Sequence, residues 1–230
     1  TATLQKTGAG YNQGLGNNIF ASTATIANNG TAALRTIGNN LFNGTTFITN
    51  AGSAEILLEL TLGSTYNGDV TFTNTGTSYV RAAFNGANSF NGNITVSSTN
   101  GSGVYFSENA GGTSTLASAK TISVGGAGFT KGELRLERFT QVGATPQNLT
   151  LTSNALFRLN GATTWNGNLV VSSPRVFLQN SVFNGTASFT KTDNNTDSNY
   201  GGNTFNGTTT FTNTGSGVFR LANNAPDIFV

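Results

Sequence analysis

The chain contains no cysteine, no methionine and no histidine, and charged residues make up only 9% of its 230 positions. Without cysteine there is no disulfide framework and no thiolate nucleophile or ligand. Without histidine the commonest general base and metal ligand is missing. Those two absences remove the Cys–His and Ser–His constellations and the usual zinc sites. Cofactors are therefore expected to be none, and the chain reads as a non-enzyme. Eleven basic and nine acidic residues leave a formal charge of +2, too slight for a nucleic-acid footprint. No apolar run reaches the length of a membrane span, so neither nucleic acid nor membrane insertion is expected.

What the chain has is glycine, asparagine, threonine and 17 phenylalanines, regularly placed. An aromatic–Asn–Gly triplet recurs as Phe42-Asn43-Gly44, Tyr66-Asn67-Gly68, Phe90-Asn91-Gly92, Trp165-Asn166-Gly167, Phe183-Asn184-Gly185 and Phe205-Asn206-Gly207. Each triplet precedes a strand-like alternation. Val70 and Phe72, Leu169 and Val171, Ala187 and Phe189, and Thr209 and Phe211 face one way; Thr71 and Thr73, and Thr210 and Thr212, face the other. A Gly or Asn turn follows, then a second short strand such as Tyr79-Val80-Arg81 or Val218-Phe219-Arg220. Self-similarity at about 20–28 residues is the mark of a solenoid. The pattern predicts an all-β parallel β-helix of about 9–10 coils in a single segment over 1–230, a rod of roughly 45 Å at about 4.8 Å per coil.

Two coils lack the triplet, around Ser118-Ala119-Lys120 and Thr145-Pro146-Gln147. The second is expected to set Leu149 and Leu151 in the inward positions. Extra residues are expected to loop out near Gly111-Gly112 and Phe139-Thr140-Gln141. Thr192–Gly202 reads as a polar excursion, with Asp193 and Asp197 in a solvated loop. Leu4–Gly8 matches Phe72–Gly76, and Ile228-Phe229 falls where Leu41-Phe42 would, so both chain ends lie inside a repeat and the chain is expected to be a piece of a longer repeat protein.

The predicted core is Phe42, Phe72, Phe90, Trp165, Phe183, Phe189, Phe205 and Phe211. The asparagines Asn43, Asn67, Asn91, Asn166, Asn184 and Asn206 form a structural turn ladder, with Asn-Gly supplying positive-φ turns and amides bonding along the stack. Candidate surface contacts are the threonines Thr71, Thr73, Thr150, Thr152, Thr210 and Thr212, and the arginines Arg35, Arg81, Arg158 and Arg220, with Arg135 close in register. A threonine face suits glycan or ice, but Thr is a good exposed strand residue in any case. The arginines would either meet an acidic partner or keep exposed strands soluble.

The motif Gly161-Ala162-Thr163-Thr164-Trp165-Asn166-Gly167, followed by Asn168-Leu169-Val170-Val171, resembles the autotransporter-associated β-strand repeat and the β-helical regions of giant bacterial surface adhesins, including those secreted by Bacteroidota through the type IX route. That resemblance implies a rigid segment of an extracellular fibre or adhesin at the bacterial cell surface. It implies as partners further repeats of the same polypeptide, a lateral homo-oligomer or filament, and a host or prey cell-surface glycan. The alternatives are a glycan- or ice-binding module and, behind it, a carbohydrate-active β-helix enzyme.

Overall fold

The computed structural model describes the backbone of residues 1–230 and all side chains but those of Asn12 and Gln13. It is all-β. Thirty short strands wind into a parallel solenoid, and each pairs with its equivalent in a neighbouring coil, on both sides except at the ends of a ladder. Three faces result. The first runs through Ala2–Lys6, Ala24–Asn28, Thr46–Asn50, Val70–Asn74 and Ile94–Ser98 to Ile122–Phe129, then resumes with Gln147–Thr150 and its successors. The second runs from Asn12–Gly16 to Arg175–Leu178 as eight strands and resumes as the pair Asp197–Ser198 and Phe219–Arg220. The third is an unbroken ladder of ten strands, from Ile19–Phe20 to Ile228–Phe229.

Alternation decides what goes inside. Along Val70–Asn74, Val70 and Phe72 are buried while Thr71 and Thr73 are half-buried. Register carries that choice to the next coil: Phe72 stands between Ile48 and Val96. The third face stacks its aromatics directly. Ring centroids are 4.7 Å apart for Phe20–Phe42 and for Phe42–Tyr66, and 4.8 Å for Phe183–Phe205. Those distances match the coil spacing, so each ring lies on its predecessor with little adjustment. Phe42, Phe72, Phe90, Trp165, Phe183, Phe189 and Phe205 are fully buried. Phe211 is partly buried, packed on Phe189 at 5.7 Å and edge-on to Phe219 at 5.9 Å.

The Asn-Gly pairs work differently from expectation. Among the described residues, neither the asparagines nor the glycines of the six triplets have positive φ. Glycine is needed because neighbouring backbones nearly touch: a Cβ on Gly92 would lie 2.2 Å from the Gly68 carbonyl oxygen. The asparagines do bond along the stack, as Asn67 Nδ2 donates to Asn43 Oδ1 at 2.8 Å and Asn91 repeats the bond to Asn67 at 2.8 Å.

The irregular coils also depart from the sequence reading. Phe139–Gln141 is a buried strand of the third face, not a loop. It exchanges two columns. Gln141 takes the aromatic position, paired with Leu116 and Trp165, while Phe139 takes the small polar position beside Ser114. Phe139 stacks on Trp165 at 5.5 Å, so the aromatic mass is kept, moved by two residues. The loop expected at Gly111-Gly112 is present, closed by the Gly112 N–H donating to the Asn109 carbonyl at 2.9 Å. The other extra stretch bulges at Gly125–Gly128, where the register shifts between Val96 and Ser98. In the next coil Gln147 pairs with Leu169 and Leu149 with Val171, two residues away from the expected register. The first inward position accepts Gln147 because its side chain bonds internally: Oε1 accepts from the Ile122 N–H at 2.7 Å, and Nε2 donates to the Lys120 and Thr145 carbonyls.

One buried carboxylate sits at a corner. Glu59, in a positive-φ conformation, accepts from the Tyr66 hydroxyl at 2.9 Å and the Ala83 N–H at 2.8 Å. Burial raises its pKa above the ordinary 4.5, although hydrogen bonds from Ala83, Asn88, Tyr66 and Ser64 oppose the rise. A carboxyl whose pKa rises on folding favours the folded state below its ordinary value and loses that contribution as pH climbs through the raised one.

Two outcomes follow. Gly92→Ala should destabilise the rod by about 1–3 kcal/mol or more in urea titration. Gly10→Ala, where an added Cβ meets nothing within 4 Å, should change stability by less than about 0.5 kcal/mol. Equal effects would show that close backbone approach does not explain the glycine column. Separately, stability should fall as pH rises from the ordinary carboxylate range toward neutrality, and Glu59→Gln should flatten that slope; identical pH profiles would remove Glu59 from the account.

Candidate functional site: an arginine and aromatic face

All seven arginines of the chain lie on or beside the outer surface of the second face. The outward column reads Arg35, Leu57, Arg81, Tyr105, Arg135, Arg158, Phe177, and after the break Ser198, Arg220. Strand alternation puts them there, because Leu34, Val80, Leu134 and Phe157 take the inward positions next to them. Arg175 stands in the neighbouring outward column. Arg138 turns the following corner, where its guanidinium holds the Ser107–Gly112 loop through the carbonyls of Ser107, Asn109 and Gly112.

Carboxylates thread between these arginines. Glu55 lies 3.9 Å from Arg35 and 3.5 Å from Arg81, and Glu108 lies 3.2 Å from Arg81 and 3.6 Å from Arg135. Glu137 is shared by Arg135 and Arg138, and Glu133 pairs with Arg158. Rings complete the surface. The Arg81 guanidinium lies 4.4 Å from the Tyr79 ring centroid, Arg135 lies 5.5 Å from Tyr105, and Arg158 and Arg175 lie 4.5 and 4.9 Å from Phe177. Burial and then the adjacent Glu133 carboxylate, which accepts from the Tyr105 hydroxyl at 3.2 Å, push the Tyr105 pKa far above its ordinary value, so the phenol stays protonated.

The arginines are thus not loose solubilising charges. Arg35, Arg81, Arg135 and Arg158 are half-buried, and only Arg220 among the sequence-selected four is exposed. The sequence selected Arg35, Arg81, Arg158 and Arg220 but missed their partners Glu55, Glu108 and Glu133 and the rings of Tyr79, Tyr105 and Phe177. The alternation Glu133-Leu134-Arg135-Leu136-Glu137-Arg138 does read as a half-exposed strand with local ion pairs, as Glu137 makes with Arg135 and Arg138. The recurring X–Arg–X element in the second strand located the column. Glu55 and Glu108 come from corners of varying length, and Glu133 reaches Arg158 of the next coil from within its own strand, so the pairings follow no fixed offset.

Among the described residues, three shallow grooves lie along this face. One, of about 490 Å³, is lined by Tyr11, Thr31, Arg35, Glu55 and Ser78. A second, of about 270 Å³, holds Tyr79, Tyr105, Glu133, Asn154 and Arg175. A third, of about 190 Å³, holds Arg158, Phe177, Gln179, Ser198, Tyr200 and Asn224. Each offers a ring, a guanidinium and neutral hydrogen-bonding groups.

The other candidate residues fall elsewhere. Thr71 and Thr73, and Thr210 and Thr212, face outward on the first face in two columns. The two-residue shift puts Thr150 in the column of Thr212 and leaves Thr152 past the end of its strand, Gln147–Thr150. Phe47 and Val170 interrupt those columns, and the Gly125–Gly128 bulge divides them. The asparagine ladder from Asn166 through Asn184 to Asn206 follows the corner between the third and first faces, with bonds of 2.7 Å.

The polar excursion is corrected. Asp197 and Asn199 are fully buried. Asp197 accepts from Arg175 Nε at 2.8 Å and from the Val176 N–H at 2.9 Å, and Asn199 Oδ1 accepts from the Leu178 N–H at 2.6 Å. Their side chains replace main-chain carbonyls at the break in the second face. Asp193 pairs with the fully buried Lys191 at 2.6 Å. Partial burial would raise the Asp193 pKa, but hydrogen bonds from Lys191 and Asn195 outweigh it and hold the carboxyl below its ordinary value. The two aspartates therefore serve separate cations. Among the described residues no three His, Cys, Asp or Glu side chains gather as a metal-binding group. The chain matches no protein-family model, no curated protein and no solved structure.

Proposed function

We propose that this chain is a rigid segment of a large extracellular bacterial surface fibre or adhesin, which projects or assembles a filament for cell attachment. The observation that carries the reading is the ten-strand ladder of the third face, which runs the whole rod with its aromatic column beneath it. A continuous parallel ladder resists extension because the backbone bonds lie along the axis and the inward rings leave no room for local collapse. Functional weight then falls on the outer surfaces, in keeping with three open grooves on one face. The resemblance of the Trp165-Asn166-Gly167 repeat to those of secreted surface proteins points the same way.

An antibody raised against the folded chain should label intact cells that produce it, with no permeabilisation, and its Fab should reduce their attachment to surfaces. Labelling that appears only after permeabilisation would overturn the extracellular assignment. Surface labelling with undiminished attachment would overturn the role in adhesion.

A further inference from the structure

We infer that the arginine face is a binding track for an extended acidic polysaccharide of low charge density, lying along the rod axis. This inference does not depend on the shaft reading, because it concerns the isolated chain.

The charge distribution is the first support. The outward columns of the first face are Thr, Ser and apolar, and the aromatic corner presents asparagine, so the guanidiniums are concentrated on one side. Their internal carboxylates saturate them unevenly: Arg135, Arg158 and Arg175 are closely held by Glu137, Glu133 and Asp197, whereas the contacts of Arg35 and Arg81 are longer. Glu55 and Glu108 each serve two arginines, at 3.2–3.9 Å. A saturated charge-assisted hydrogen bond is about 2.7–2.9 Å. Among the described residues Arg220 has no carboxylate partner. An anion arriving at this face therefore meets guanidiniums with hydrogen-bonding capacity to spare.

The grooves give the second support. They are aligned on one face, and from Arg35 to Ser198 they cover about 34 Å at about 4.8 Å per coil. Arg35, Arg81 and Arg135 recur at every second coil, a spacing of about 10 Å. A compact ligand would fill one groove; a linear polymer meets all three. Tyr11 and Tyr200, 75% and 46% exposed, stand in the first and last grooves and offer open ring faces. Ring faces suit the C–H surfaces of sugars, and the Thr31, Ser78, Ser198, Gln179 and Asn224 side chains suit their hydroxyls.

Glu55, Glu108 and Glu133 set the charge density. A nucleic acid or a heavily sulfated chain would bring anions against these carboxylates as often as against the arginines. A polymer with hydroxyls on most sugars and a carboxylate on every second one meets Arg35, Arg81 and Arg135 at every second coil and then Arg158 on the coil after Arg135, while the glutamates accept from its hydroxyls.

The test is retention of the purified chain on immobilised hyaluronan, with one carboxylate per disaccharide, beside dextran, heparin and a polythymidine oligonucleotide. Retention should be selective for hyaluronan and fall as salt rises. Arg81→Gln with Arg135→Gln should weaken it about tenfold or more, the size of lost hydrogen bonds to a charged partner. Lys120→Gln, a charge removed from another corner, should not. Because Arg81 and Arg135 are half-buried, Tyr11→Ala and Tyr200→Ala provide a second arm on exposed side chains, and each should weaken retention with unchanged melting. No retention on hyaluronan, equal retention on dextran, tighter retention on heparin or the oligonucleotide, or indifference to both sets of substitutions would each overturn the proposal.

Discussion

Every position in this rod sits on its own equivalent in the next coil, one hydrogen-bond spacing away. That stacking is the constraint on which the rest depends. A side chain must be compatible with near-copies of itself above and below, so each column selects a residue type. Rings tolerate the spacing by stacking flat, and asparagine amides tolerate it because each offers a donor to one neighbour and an acceptor to the other. Glycine survives where two backbones approach too closely for any Cβ. Charge is the exception. Like charges stacked directly would repel; the second face separates Arg35, Arg81 and Arg135 with Leu57 and Tyr105, and where Arg135 and Arg158 do stack, Glu137 and Glu133 pair with them.

Where a column is violated, a neighbouring group restores the balance. Gln141 puts an amide into the aromatic column, and Phe139 puts a ring into the polar column two residues earlier. The interior keeps its volume, and Gln141 Oε1 accepts from the Gly167 N–H at 3.0 Å. Asp197 and Asn199 occupy inward positions that other coils fill with Val176, Leu178 or Phe219, and they are tolerated because the broken ladder leaves N–H groups for them to bind. An unpaired polar group in those places would be strongly destabilising. Each irregularity thus brings its own partner.

The coil count, two of the three strands in each coil and the inward rings were legible because alternation and the aromatic–Asn–Gly triplet are local signals; the third strand, only two residues long in most coils, leaves no alternation to read. Register in the coil of Gln147 was not, since a slip of two residues leaves the same side chains facing inward. The ring of Phe139 was hidden for a related reason: a coil without the triplet shows no aromatic in register, and a transfer of the ring by two residues leaves no local mark. The arginine column was readable as a repeated element of the second strand. Its partners were not, because equivalent residues are separated by anything from 18 to 31 positions, as between Asn166 and Asn184 or between Ser98 and Phe129. With so variable a step, sequence distance says little about which carboxylate meets which guanidinium. The buried state of Asp197 was concealed by the company of Asn194, Asn195 and Ser198, a composition that reads as surface loop.

The breaks in the ladders fall at different heights. The first face is interrupted after Ile122–Phe129, the second two coils further on, after Arg175–Leu178, and the third nowhere. Like the staggered joints of brickwork, this offset leaves no plane that crosses only weak seams. A shearing or splitting load must at every level cut at least two intact rows of backbone bonds, so toughness resides in how the defects are distributed as much as in how few there are.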